Sequence, residues 1–360
     1  MSPRRKKLNP KAEASGKQMP GAFAADADLI ADLLRRAKQA EHDEEHAKAI
    51  GLYDDALSHC DPTHSDPLTA DLLRWKGTVL RERGETEAAH RCYSESLKTA
   101  KRARSLSGEA HALNCLANIT LRRGDQKETD RLYTSAATIA EKLGDRRLLG
   151  MIEQNRGVLA NIRGDFTAAA NCYANSLAAF ESTGDEEPMS WILNNLGMMN
   201  TRLEQYEEAK KYLERGLSIA VARNDRTVEN VITLNLAEAF VGLGRLDIAD
   251  NLLAAALGQA GRRGDHLTAA GALKLRAAIE RRRGALDMAL ATLRIAIYEA
   301  EGAEDQLLHA EMLRELGEIS RALGNSGAAR SAWREAVTSY TAAGANHEIA
   351  GVQAELSKLP

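Results

Sequence analysis

Apolar positions recur along this chain at the three- and four-residue spacing of amphipathic helices, in blocks of about twenty residues. In EEPMSWILNNLGMMNTRLEQ they are Ile192, Leu193, Leu196, Met199 and Leu203. In the next block, YEEAKKYLERGLSIAVARND, they are Ala209, Leu213, Leu217 and Ala220. Polar turns separate the blocks, so each pair of blocks predicts two helices joined head to tail. Prolines are confined to the start of the chain, Pro188 and Pro360. Proline costs about 3 kcal/mol inside a helix, so the long stretch after Pro67 can be helical nearly throughout. Few aromatic and β-branched residues argue against sandwiches and barrels.

The helix pairs repeat every 40 residues without insertion. One turn column reads Glu44, Gly84, Gly124, Gly164, Glu204, Gly244, Gly284 and Gly324. Five residues later stands alanine in every unit except one, which has Thr129. Nine residues after the turn come Tyr53, Tyr93, Tyr133, Tyr173, Leu213, Leu253, Leu293 and Trp333. Seven residues before it come Ala37, Gly77, Ala117, Gly157, Gly197, Ala237, Ala277 and Gly317. Glycine inside a helix costs about 0.5–1 kcal/mol relative to alanine. Its recurrence at one place therefore points to two helix axes passing close together, with the bulky column filling the space beside them. Between units, Gly144-Asp145, Gly184-Asp185, Asn224-Asp225 and Gly264-Asp265 read as a left-handed helix end followed by an N-cap. Pro188 then belongs in the first turn of the helix that follows Asp185, where a missing N–H does no harm.

These columns and turns resemble the tetratricopeptide repeat. The resemblance covers residues 27 to about 345, eight units, with a ninth half-unit near His347–Leu359. The usual repeat has about 34 residues. The longer unit here is similar to the repeats of kinesin light chains and of bacterial peptide-sensing regulators. The implied fold is all-α, a right-handed superhelical solenoid of helix-turn-helix repeats. The expected division is a disordered basic tail over 1–25, eight hairpins over 26–345 and a C-terminal capping helix over 346–360.

One helix pair cannot bury its apolar stripe alone, so neighbours must stack. The resemblance implies that the first helix of each unit lines a concave wall, and it fixes which side chains face the groove. Carried onto this sequence, these include Asn114, Cys115 and Asn118 in unit three, and Met151, Gln154, Asn155, Val158 and Asn161 in unit four. Unit five offers Trp191, Asn194, Asn195, Met198 and Thr201, and unit six offers Val231, Leu234, Asn235 and Glu238. Asn155, Asn195 and Asn235 form one column. Asparagine is a poor helix former, so three in helix interiors call for a cause. A carboxamide donates and accepts, which suits the backbone of an extended peptide. Met151, Trp191, Met198 and Val231 would take its side chains. In related repeats, asparagines at this column hold a peptide backbone. The competing reading is that the amides pair with adjacent helices. Lys274, Arg281 and Arg282 in unit seven, with Arg74 and Arg81 in unit two, point to the same wall and would suit a carboxylate. Glu311, Glu315 and Glu318 of unit eight could instead neutralise that charge internally.

The 48 basic and 51 acidic residues give a net charge of −3. That sum hides two parts. Six basic residues against Glu13 give the first twenty residues +5, which leaves −8 on the remainder. Nucleic-acid binding is thus disfavoured outside the tail, and the tail itself reads as a solubilising extension. No run reaches the ~20 apolar residues of a membrane span, and no export signal precedes the repeats. A cytoplasmic chain with four reduced cysteines is expected. His42 and His46 in HDEEH have Asp43 where the zinc-protease pattern needs glutamate. No phosphate loop or nucleophile elbow occurs. Repeat proteins that act as phosphatases toward response regulators carry an N-terminal helical bundle, and about 25 residues before the repeats are too few for one. No enzyme, metal or cofactor is expected. The expected partner is a protein or extended peptide held by a regulatory or assembly scaffold. The alternative is a sensor of a signal peptide or small ligand that controls a partner transcription factor or enzyme. Oligomeric state is left open.

Overall fold

The structure is a computed structural model that describes residues 21–60, 66–301 and 305–359. Most of the expected basic tail lies outside the described residues. Among the described residues there are seventeen helices and no strand. The chain divides into two compact units, residues 1–119 and 120–360. The first holds α1 (Gly21–His42), α2 (His46–Ser58), α3 (Pro67–Glu82), α4 (Thr86–Arg102) and most of α5 (Leu106–Arg122). The second holds α6 (Gln126–Leu143), α7 (Arg146–Ile162), α8 (Phe166–Thr183), α9 (Met189–Arg202), α10 (Tyr206–Ala222) and α11 (Arg226–Gly242). It continues with α12 (Leu246–Arg263), α13 (His266–Arg282), α14 (Leu286–Glu299), α15 (Gln306–Ala322), α16 (Ser326–Ala342) and α17 (Asn346–Ser357). Each unit is an α-solenoid, in which helices adjacent in sequence pack as neighbours from α1 through α4 in the first and from α6 through α17 in the second. Helix α1 starts five residues before the expected boundary at 26.

The turn column explains the regular spacing. All eight of its residues have positive φ, from 58° at Glu44 and Glu204 to 81° at Gly84. Each closes its helix with paired backbone bonds, as when Gly84 N–H donates to Arg81 O and Glu85 N–H to Leu80 O. In this column only Glu44 and Glu204 adopt the conformation with a side chain attached; Arg104 and Asn224 do so in the turns between repeats. A left-handed conformation costs a non-glycine residue about 1–2 kcal/mol, and glycine costs about 0.5–1 kcal/mol of extra unfolded-state entropy. Glu204 is exposed. Glu204→Gly is therefore expected to stabilise the second unit by about 0.5–1 kcal/mol, read as a higher denaturation midpoint.

The second set of turns follows the same logic. Asp145, Asp225 and Asp265 accept the N–H of Leu148, Val228 and Thr268 at 2.9, 3.1 and 3.0 Å. Asp185 does not cap. Pro188 is not inside the first turn of α9 but precedes it as the N-cap residue, so α9 starts at Met189 and is three residues shorter than α7. A proline disfavours helical geometry in the residue before it, here Glu187, so the helix cannot begin earlier. Asp185 instead receives Arg147 Nε at 2.7 Å.

The small and bulky columns meet face to face. A Cβ placed on Gly77 would lie 2.7 Å from Tyr93 Cε1, and one on Gly157 would lie 2.6 Å from Tyr173 Cε1. Gly197 meets Leu213, and Gly317 meets Trp333, in the same way. The alanine column is fully buried in every unit, as is Thr129, whose hydroxyl bonds back to Asp125 O at 2.7 Å. A second set of close approaches has no counterpart in the columns read from sequence. Ser176 Oγ donates to Gly150 O at 2.7 Å, and Ser96 Oγ donates to Ala70 O at 2.6 Å, one within each unit.

Candidate functional site

In the second unit, α9, α11, α13 and α15 are the first helices of successive repeats, and they pack side by side. Their facing side chains form one wall. Asn235 Nδ2 donates to Asn194 Oδ1 at 2.7 Å, which joins α11 to α9. Asn194 is buried, and its own Nδ2 faces Met198 Sδ at 3.5 Å. That amide pair holds the wall together. Asn195, one residue on, is half-buried and makes no hydrogen bond among the described residues. Asn155 holds the same register on α7 and is also half-buried. Trp191 keeps 39% of its surface exposed. Met151 and Met198 pack by their inner sides against the core of α8 and α9, and Val231 is half-buried on α11. Asn114 and Asn118 stand on α5 in the first unit, the former buried and the latter half-buried.

The basic residues of unit seven are engaged. Lys274 Nζ is paired with Glu311. Arg281 makes a two-pronged bond to Glu315, at 2.6 and 3.0 Å. Arg282 donates to Val241 O at 2.8 Å. The internal neutralisation foreseen as an alternative is what the wall contains, so Lys274 and Arg281 join α13 to α15. Burial opposes the charge on Lys274, but Glu311 and Glu238 outweigh it and hold the ammonium above its ordinary value. Burial likewise opposes ionisation of Glu311, and Lys274, Arg314 and Arg202 hold its carboxyl below the usual range.

Sequence reasoning missed the charged cluster at the end of this wall. Glu348, in the first turn of α17, accepts from Arg314 Nη1 at 2.9 Å and is also paired with Arg202 at the end of α9. Arg202 lies 5.3 Å from the Phe166 ring centre, and the His347 ring meets the same phenyl edge-on at 5.4 Å. Burial works against the charge on Glu348, but Arg202 and then Arg314 overcome it and keep the carboxyl low. Arg202 lies one residue beyond a groove position, and no column points to it.

The remaining candidate chemistry is quiet. All four cysteines are free and half-buried. Burial, reinforced by Glu153, pushes the Cys172 thiol up to about 11, and burial raises Cys92 and Cys115 too. Thiolates are the reactive form, so these thiols are packing groups near neutral pH. His46 opens α2, and among the described residues no group of three or more metal-ligating side chains is gathered. No described helix is long and apolar enough to cross a membrane.

A repeated helix pair with a small-bulky contact, a left-handed turn and a polar inner wall defines a helical-repeat fold. Residues 148–222 match the family model described as tetratricopeptide repeat, and the helix pairs on either side of that stretch have the same repeating geometry. Solved structures agree on the fold. RapI in its apo form is 15% identical with a TM-score of 0.56, over 75% of this chain and 97% of that one. A tetratricopeptide repeat protein from Parabacteroides merdae is 20% identical with a TM-score of 0.57, over 79% and 98%. NprR, solved in complex with its cognate peptide NprX, is 12% identical with a TM-score of 0.61, over 80% and 81%. At these identities the likeness is one of fold.

Proposed function

We propose that this chain is a non-catalytic regulatory scaffold that holds an extended peptide segment of a partner against the wall formed by α7, α9 and α11. The observation that carries this reading is Asn195. Asn195 is a half-buried residue in a helix interior whose carboxamide makes no hydrogen bond among the described residues, so its donor and acceptor are open to a ligand. It stands in register with Asn155 and Asn235, and Trp191 is exposed beside it in sequence on the same helix. An extended backbone would supply the missing N–H and C=O groups. Trp191, Met151, Met198 and Val231 would take alternate side chains. The bond between Asn235 and Asn194 gives Asn194 a positioning role, holding the Asn235 amide toward the same space. The fold shared with NprR, which is solved with a peptide, supports the reading by analogy. Asn114 and Asn118 are proposed as part of an equivalent surface on α5, tested separately.

The test replaces Asn155, Asn195 and Asn235 together with alanine. Alanine favours helix more than asparagine, so helicity by circular dichroism should hold or rise. Partner capture from an extract of the native cell, followed by mass spectrometry, should fall at least about tenfold, given ~1 kcal/mol for each lost hydrogen bond. Capture equal to that of the unaltered chain would reject the groove as the binding surface.

A further inference from the structure

The two arginines around Glu348 come from helices far apart in sequence, and the residue they share lies 146 positions from Arg202. Glu348 uses both oxygens, one toward Arg202 and one toward Arg314. Its side chain keeps only 13% of its surface exposed. The contact is not needed to hold α17 on the end of the solenoid. Val352, Ile349, Leu356 and Leu359 pack into the core of α15 and α16, and Glu355 is bonded to Arg321 at 2.7 Å. What Glu348 adds is a tie from that end back to α9. The tie continues at His347, whose Cβ would lie 3.0 Å from a Cβ on Gly164 in the turn between α7 and α8.

The fit at this tie is imperfect in a telling way. Asn161 Oδ1, Thr201 Oγ1 and His347 Nδ1 are buried without a hydrogen-bond partner. Each lies at a contact of the tie or within three residues of one in sequence. Buried unpaired polar atoms oppose the closed arrangement, while the arginine–carboxylate bonds favour it. Such a balance is readily tipped. Lys274 and Glu311 neutralise each other beside the cluster, and Glu238 is the remaining acid that acts on Arg314. Removal of the Glu348 carboxylate therefore leaves Arg202 and Arg314 with Glu311, which Lys274 already neutralises, and Arg314 with the exposed Glu238.

We propose that Arg202 and Arg314 form a carboxylate-binding site which the chain fills with its own Glu348, and that an acidic side chain of a peptide in the groove competes for it and releases the tie. The proposal rests on the groove reading for its ligand, but the tie itself can be tested without one. A bidentate carboxylate is the chemistry the two guanidinium groups already hold, and one small carboxylate can reach both.

The experiment compares the full chain with E348Q and E355Q by small-angle X-ray scattering and by hydrogen exchange of the segments around Gly164 and Arg202. E348Q is expected to raise the radius of gyration and to speed exchange in those segments about tenfold, as a lost charge-assisted contact would. E355Q breaks an ion pair of the same helix away from the tie and should leave both readouts unchanged. Acetate is then added to E348A, with chloride at equal ionic strength as the control. Restored compactness in acetate alone supports the site. An E348Q chain as compact and protected as the unaltered one overturns the proposal. So does equal expansion in E355Q, which would make α17 only a cap, and so does an acetate response no greater than that to chloride. The groove reading fails separately, through partner capture. An E348Q chain that opens, with a refilling carboxylate but no captured partner, leaves the site standing and removes its proposed ligand.

Discussion

Ala209→Arg should lower the stability of the second unit by about 3 kcal/mol or more, at the top of the overpacking range or beyond it. Ala209 is fully buried on α10. It belongs to a core with Leu213, Ala220, Val228, Ile232 and Leu236, so a longer side chain has no direction free of contact. The guanidinium would arrive there without a carboxylate, and an unpaired buried charge adds to the steric cost. Repeat arrays draw stability from contacts between neighbours, so one broken contact uncouples the repeats on its two sides. Thermal melting followed by circular dichroism should show a lower midpoint or a split transition. An unchanged melt would mean that the alanine column does not face the core and that the register of the whole repeat is shifted.

The register was legible because its causes are local. A left-handed turn residue, a small residue and a knob recur at fixed spacing whatever the neighbouring repeats do. Even Glu204, which lacks the glycine signal, was placed by counting, and its φ of 58° agrees. The groove was legible only in part. The columns identified Asn155, Asn195 and Asn235, but not that Asn194 would turn inward to bond with Asn235. Two adjacent asparagines on a helix point about 100° apart, and which one faces the neighbour depends on helix rotation within the stack. Lys274 and Glu311 are 37 residues apart, close to one repeat, so their pairing could be offered as an alternative from sequence. Glu348 and Arg202 are separated by nearly four repeats. Their meeting depends on the accumulated rotation of every helix pair between them, a quantity no single repeat encodes.

Gly157→Ala sets local preference directly against packing. Intrinsic helix propensity alone predicts a gain of about 0.5–1 kcal/mol. The contact predicts the opposite, because the new Cβ would lie 2.6 to 2.9 Å from three atoms of the Tyr173 ring. Tyr173 keeps 2% of its surface exposed and has no open space into which to withdraw. Overpacking of this kind costs about 1–3 kcal/mol, so packing wins and a net loss of about 1–2 kcal/mol is expected. A double-mutant cycle with Tyr173→Ala separates the two terms. Tyr173→Ala alone leaves a cavity and should cost about 3–5 kcal/mol by analogy with Phe→Ala. Once the ring is gone, Gly157→Ala should become stabilising by roughly its propensity. The coupling between the two sites is then the energy of the collision. A loss from Gly157→Ala that persists unchanged in the Tyr173→Ala background would place the steric demand elsewhere. The glycine would then serve its own helix and not the approach of two.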